Sequence, residues 1–487
     1  MSIGCRRLAA VVAAVMLCSS MALATSVWNG SSGIDNNWNT PTNWSGGSPG
    51  ANADVIFPVA SVTASNNNIS SLQLDSMTFS GSNYTLTGNA LTLGSATSGS
   101  GFITVNANAA NNSAAFDIAL GGAAGNQQFF TVNSGAALTL GGQLSGSTGV
   151  GLTKQGVGKL ILTGDNSAFT GPFSLANSSG IVQIQNASAL GATTLAATVG
   201  ANSQLQVNNA AGTIGKSLLL NGSGISNDGA LLNLAGTNTL SGDITLDSDT
   251  AIGATAGTMT LNGLISDIGA GHNLTITGNG VIILGNATGN TYRGTTTINS
   301  GVLAIANTSG SATGTGNVAI NSGGTLRGNA IVSGQVALNS GGVLDPGLLS
   351  GGGMGTGAVT WNGGGAIAMQ LGADGPSSGQ LDVDGSLLQG TAGTFQFSFD
   401  TIGAMPGNVY DLIQFTSTTF ASGDFSFVSS NPLLAGNFTF DSPTTPTELL
   451  FTVTAVPEPA TGAVVVAIAV VSFSRRPKSS SRNSSIQ

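Results

Sequence analysis

Residues 257–306 read GTMTLNGLISDIGAGHNLTITGNGVIILGNATGNTYRGTTTINSGVLAIA, and residues 135–185 read GAALTLGGQLSGSTGVGLTKQGVGKLILTGDNSAFTGPFSLANSSGIVQIQ. Laid one on the other, Leu140 falls on Leu261, Leu152 on Leu274, Gly158 on Gly280, Phe169 on Tyr292 and Gly180 on Gly301. The offset stays between 121 and 123. An internal repeat of this length is a supersecondary unit that cannot bury its apolar face alone and therefore stacks on its neighbours. Inside each copy, short pulses such as LTLGG and LTITG alternate apolar and hydroxyl side chains, the pattern of a strand with one face buried. Gly and Asn punctuate the pulses, and both tolerate the positive φ of tight turns.

Composition points the same way. Glycine makes up 74 of 487 residues and only 6 % are charged. Short polar residues and Gly compete with helix, and the straight-chain helix formers Glu and Lys are scarce. The 41 % of hydrophobic residues, arriving in regular pulses, argues for a packed core and against disorder. The expected architecture is all-β: a parallel β-helix whose coils hydrogen-bond to one another, with apolar residues inside and Thr, Ser and Asn outside, able to form ladders between coils. About 330 residues at roughly 20–25 per coil give on the order of 15 coils.

Composition also divides the chain. Residues 25–58 hold Trp28, Trp38 and Trp44 among turn residues, a cap for an exposed core end. Residues 59–390 carry the repeats, with Pro172 the only proline between Pro58 and Pro346, as stacked ladders require. Residues 391–455 hold ten Phe. Phe395, Phe397 and Phe399 alternate onto one strand face, as do Phe425/Phe427 and Phe438/Phe440, which predicts a small antiparallel β module.

The segments GVGKLILTGDNSAFTG and GNGVIILGNATGNTYRGTTTINSGVLAIAN resemble the autotransporter-associated β-strand repeat: a G-x-G-x-L-x-L strand, a Gly-Asn turn, an aromatic with Gly close behind, and a second strand. The first copy departs from it at Ala168-Phe169-Thr170 and Pro172. The resemblance implies a right-handed parallel β-helix on a surface-exposed or secreted protein.

Both termini look like addresses. Arg6 and Arg7 precede an apolar run, and Ala22-Leu23-Ala24 before Thr25 forms an A-x-A exit, the pattern of a signal peptide over 1–24 cut by signal peptidase. Both cysteines, Cys5 and Cys18, lie inside it. The chain from Thr25 is thus expected to have no disulfide, and with His272 its single histidine, no structural zinc. At the other end, Val456-Pro457-Glu458-Pro459 precede an apolar stretch, 460–474, followed by Arg475, Arg476, Lys478 and Arg482. As a helix that stretch covers about 22 Å, short of the roughly 30 Å hydrocarbon core. The basic cluster would hold its end in the cytoplasm. The tail 456–487 strongly resembles the PEP-CTERM sorting signal, departing from it in the serine-rich end. This implies recognition by an exosortase-like membrane enzyme, transient inner-membrane anchoring, and surface or biofilm-matrix localisation with extracellular polysaccharide as a partner.

Chemical motifs are few. Residues 25–474 carry five basic and twenty acidic residues, the opposite of what nucleic acid selects. AAGTIGKS (210–217) has P-loop spacing but lacks the helix a P-loop needs behind it. In GGSPG (46–50) Pro49 follows Ser48 and cannot supply an oxyanion N–H. His272 reads as a solvated turn residue. Asp247/Asp249 and Asp382/Asp384 are i,i+2 pairs able to share a strand face, the arrangement a β-helix polysaccharide lyase or hydrolase would use. No cofactor is expected. The leading reading is a non-enzymatic, exported structural or adhesive protein; the alternative is a polysaccharide-active enzyme built on the acidic pairs.

Overall fold

The computed structural model describes residues 25–95, 99–146, 148–347, 353–374 and 378–456. The expected signal exit at Ala22 and Ala24 lies outside them, and Thr25 begins the first strand, Thr25–Trp28. Of the sorting motif only Val456 is described. Pro457, Glu458, Pro459, the stretch 460–474 and Arg475, Arg476 and Lys478 all lie outside the described residues. Within those residues no helix is long and apolar enough to cross a membrane, and the helical turns are short 3-10 pieces such as Pro41–Asn43 and Ser422–Asp424.

Two compact units divide the chain, residues 1–195 and 196–487. Each is a parallel β-solenoid, with about 14 turns between the two. In the middle of the first unit, a turn contributes three short strands. Ile118–Leu120, Gln127–Val132 and Ala137–Leu140 lie directly under Leu144–Gly146, Gly151–Gln155 and Lys159–Leu162. Register is kept by burial: Leu138 stacks on Leu160 and that on Val182, all inside, while Thr139 and Ile161 alternate outward. A slip of one residue would turn every apolar side chain to water. Among the described residues ten non-Gly residues adopt positive φ, and seven are Asn (Asn52, Asn83, Asn108, Asn111, Asn202, Asn209, Asn227), so the Asn-rich composition is spent on corners.

Trp28, Trp38 and Trp44 are buried together, with centroids 5.0 Å (Trp28–Trp44) and 5.6 Å (Trp38–Trp44) apart, and Trp38 packs on Phe57 and Phe116. Each indole N–H is satisfied: Trp28 donates to the Val62 carbonyl (2.9 Å), Trp44 to the Trp38 carbonyl (2.9 Å) and Trp38 to Ser65 Oγ.

In the second unit the Phe-rich segment differs from the expected antiparallel module. Phe395–Thr401 runs parallel to Ala366–Leu371 on one side and to Phe425–Ser429 on the other. Antiparallel pairing begins only where Glu448–Ala455 inserts between Val409–Gln414 and Ala435–Phe440. Alternation of Phe does place Phe395, Phe397 and Phe399 on one buried face. It reports which face is covered, not the direction of the neighbouring strand, so the resulting sheet is mixed. Phe438 of the final hairpin lies against Phe397 (5.2 Å), Phe425 (5.7 Å) and Phe451 (5.0 Å).

Candidate functional site: a polar groove on the second unit

One outer face of the second unit is built from Ile244–Ala254, Leu274–Gly278, Thr296–Ile298, Val318–Ile320, Val336–Leu338 and Val359–Trp361, each parallel and in register with the next. Ile252, Ile276, Ile298, Ile320, Leu338 and Trp361 point into the core and are buried. The residues before them, Ala251, Thr275, Thr297, Ala319, Ala337 and Thr360, form an outward column of small side chains, one per coil. Alternation along a strand requires this arrangement once the apolar column is inside.

Over the start of this face stands the loop 223–229. Ser226 and Asn227 adopt φ +55° and +62°, Asp228 N–H donates to the Ile225 carbonyl, and Gly229 N–H to the Ser223 carbonyl. Loop and face enclose a groove of about 640 Å³, lined by Ser223, Ser226, Asn227, Asp228, Asp249, Asn273, Thr275, Thr277, Thr295, Thr297 and Asn299, with Thr250 and Ala251 at its floor. The lining offers hydroxyls, amides and two carboxylates, with no ring and no cation. Asp249 is oriented by Asn273, whose backbone N–H (2.9 Å) and Nδ2 (3.0 Å) both donate to its carboxylate. His272 Nδ1 lies 3.9 Å from Asp249 Oδ1, so the turn histidine stands beside this carboxylate. Below it, Asp267 is covered. Burial raises its pKa, but donation from the Arg293 and His272 backbone N–H groups and from the Arg293 guanidinium (Nη2–Oδ1 3.0 Å) wins and holds it low.

Of the expected acidic pairs, Asp249 lines this groove and Asp247 does not. Both sit where the strand bulges, since Leu220 pairs with Leu246 while Gly222 pairs with Thr250. Asp382 and Asp384 do share an exposed face and line a separate cavity of about 410 Å³ with Glu448. Asp411 lies beside it, accepting from Gln380 Nε2 (2.7 Å) and Gln414 Nε2 (2.6 Å). Burial, with Asp441 and Asp382 nearby, pushes its carboxyl up, and the charges of Asp411 and Asp441 raise Glu448. Among the described residues no His, Cys, Asp and Glu group has the geometry to hold a metal ion. The P-loop-like segment leads from Ser203–Ala211 through Thr213–Ile214 into the strand Leu218–Gly222, so its backbone has no helix N-terminus to offer a phosphate.

Ladders of outward Asn, Ser and Thr were expected from the sequence without a location, and three features were placed only by the structure. An asparagine ladder runs along the groove's continuation: Asn321 Nδ2 donates to Asn299 Oδ1, Asn339 to Asn321 and Asn362 to Asn339, each at 2.8 Å. Its signal is visible as TTINS, VAINS, VALNS and VTWNG at 296, 318, 336 and 359, a β-branched residue, an inward apolar residue and Asn in fixed order. The second is a buried pin common to the two repeat copies. Asn166 Oδ1 accepts from Leu144 N–H (2.7 Å) and its Nδ2 donates to the Ala189 carbonyl (2.6 Å). Asn290 does the same with Ile265 (2.8 Å) and Ala312 (2.7 Å). The third is Lys154, buried in the inward column between Phe130 and Leu175, with Nζ donating to the carbonyls of Gly156 (2.5 Å), Gly158 (2.7 Å) and Ser179.

The passenger-associated-transport-repeat family model matches residues 152–184 and 274–305. The second match supplies Thr275, Thr277, Thr295, Thr297 and Asn299 of the groove. No curated protein matches the chain. The two repeats and the solenoid around them fit an exported, autotransporter-like passenger.

Proposed function

We propose that the protein is a non-enzymatic surface or extracellular-matrix component that holds uncharged polysaccharide in the polar groove. Signal peptidase frees it at Thr25, and an exosortase-like enzyme sorts it through Val456, Pro457, Glu458 and Pro459. The observation that carries the binding part is the lining itself. Hydroxyls and amides both donate and accept, carboxylates accept from sugar hydroxyls, and Asp249 uses two acceptor positions on Asn273 and retains others. Support for the export part comes from the passenger repeats and from the residues at the two termini.

Affinity electrophoresis through gels containing neutral or anionic polysaccharide tests the binding part. The neutral gel is expected to retard the protein, and the double variant Thr275→Val, Thr297→Val to migrate freely with an unchanged melting temperature. Equal retardation of both would remove the groove from the account. Mass spectrometry of surface-located protein tests the sorting part: the expected C-terminus lies near Pro457–Pro459, and an intact chain through Gln487 would contradict it.

A second reading, a polysaccharide lyase or hydrolase, draws on Asp382, Asp384 and Glu448 in one cavity with Asp411 beside it; burial raises the Asp411 carboxyl and the charge of Asp411 raises that of Glu448. No basic residue lines that cavity. Release of reducing ends that disappears in Glu448→Gln would establish this reading, and its absence across neutral and uronic polysaccharides would end it.

A further inference from the structure

We infer that the groove is the closed end of a longer track that holds one extended, uncharged glycan chain parallel to the stacking direction, at about one sugar per coil. This rests on the reading of the groove as a glycan site and adds the ligand's length, direction and charge.

The column Thr275, Thr297, Ala319, Ala337, Thr360 continues past the groove without a bulky side chain, one residue per coil in unbroken register. Beside it runs the ladder Asn299, Asn321, Asn339, Asn362, whose first member lines the groove. An amide carries two N–H donors and two acceptor lone pairs. Asn321 and Asn339 each use one donor and one acceptor in the ladder, which leaves one of each for a ligand at those two coils. Thr391 N–H closes the far end on Asn362 Oδ1 (2.9 Å). Coils repeat at about 4.8 Å, close to the advance per sugar of an extended, equatorially linked pyranose chain. Successive sugars of such a chain are turned about its axis, and an amide, which both donates and accepts, can meet a hydroxyl on whichever edge each sugar presents; the ladder bonds fix the amides in advance.

Charge selects among glycans. Asp228 and Asp249 stand at the closed end and would repel uronate or sulfate. The second unit's described basic residues do not offset them: Lys216 is buried, and Arg293 and Arg327 are paired with Asp267 and Asp345. The loop 223–229 closes one end only, so a chain lies with one end in the groove and the rest along the ladder.

Titration with size-fractionated neutral (1→4)-linked glucan, mannan and xylan oligomers, dimer to hexamer, tests the track on the intact protein. Affinity for the best series is expected to rise by about tenfold or more from dimer to hexamer. Ala337→Arg places a long side chain across the column without removing a ladder bond. It should leave the dimer's affinity unchanged and abolish the hexamer's advantage, whereas Thr325→Arg on another outward face should change neither. Equal affinity for dimer and hexamer, or a hexamer indifferent to Ala337→Arg, overturns the track and leaves the groove standing. No binding in any series overturns the groove itself.

Discussion

At the residue scale, the two repeat copies differ most at one core position. Lys154 stands where the second copy has Ile276, and both are buried. An ammonium has three N–H donors, and three carbonyls receive them. Burial nevertheless pushes Lys154 down from 10.5 to about 7. Between those two values the unfolded chain binds a proton that the folded chain lacks, so stability rises with pH across that window and is lowest, on this account, below about pH 7. The melting temperature should climb from pH 7 to 10, and Lys154→Met should lessen the climb, leaving the part due to buried Lys216, which burial lowers to about 8; an unchanged slope in the variant would place the titration elsewhere. The buried amides give a second prediction. Asn166→Leu and Asn290→Leu each leave a backbone N–H and a carbonyl without a partner, and each should cost about 1–3 kcal/mol in denaturant unfolding. Costs near zero would mean that the pins merely fill space.

At the element scale, the glycine behind each repeat aromatic has a steric explanation. A Cβ on Gly171 would sit 1.7 Å from the Val150 carbonyl oxygen, and one on Gly294 2.1 Å from that of His272. The coil below leaves room for hydrogen alone. Gly294→Ala should therefore cost about 2–3 kcal/mol, although alanine is the mildest of side chains, and a neutral substitution would show that the coils can part at that corner. These strands were legible because burial of one face writes a two-residue period into the sequence, as in Leu274, Ile276 and the outward Thr275 between them. Strand direction left no such trace, so the Phe-rich strands were expected antiparallel and Phe395–Thr401 proved parallel. The groove was half legible. Asp249 drew notice as a member of an i,i+2 pair. Its partnership with Asn273, His272 and the loop 223–229 depends on a bulge and on stacking between coils, which no local spacing records. The Asn ladder lay in plain view at irregular intervals of 22, 18 and 23 residues, because coils vary in their turns while keeping their strands in register.

At the scale of the whole molecule, a chain with 6 % charged residues holds its coils chiefly by backbone ladders, with ion pairs such as Arg293–Asp267 and Arg327–Asp345 on the outer surface of the described residues. Everything assigned to the outer face, from the groove to the Asn track, depends on successive coils lying in register, residue over residue. That register can be read chemically, since the chain from Thr25 onward contains no cysteine. Ala319 lies directly under Ala337, and Ala337 under Thr360. Neighbouring Cα atoms in a parallel ladder are about 5 Å apart, within the span a disulfide bridges, and residues two coils apart are about 10 Å apart, beyond it. Under mild oxidation Ala319→Cys with Ala337→Cys should cross-link within each molecule, while Ala319→Cys with Thr360→Cys should keep both thiols. Free thiols in the first pair, or equal cross-linking in both, would contradict the stacked, in-register solenoid.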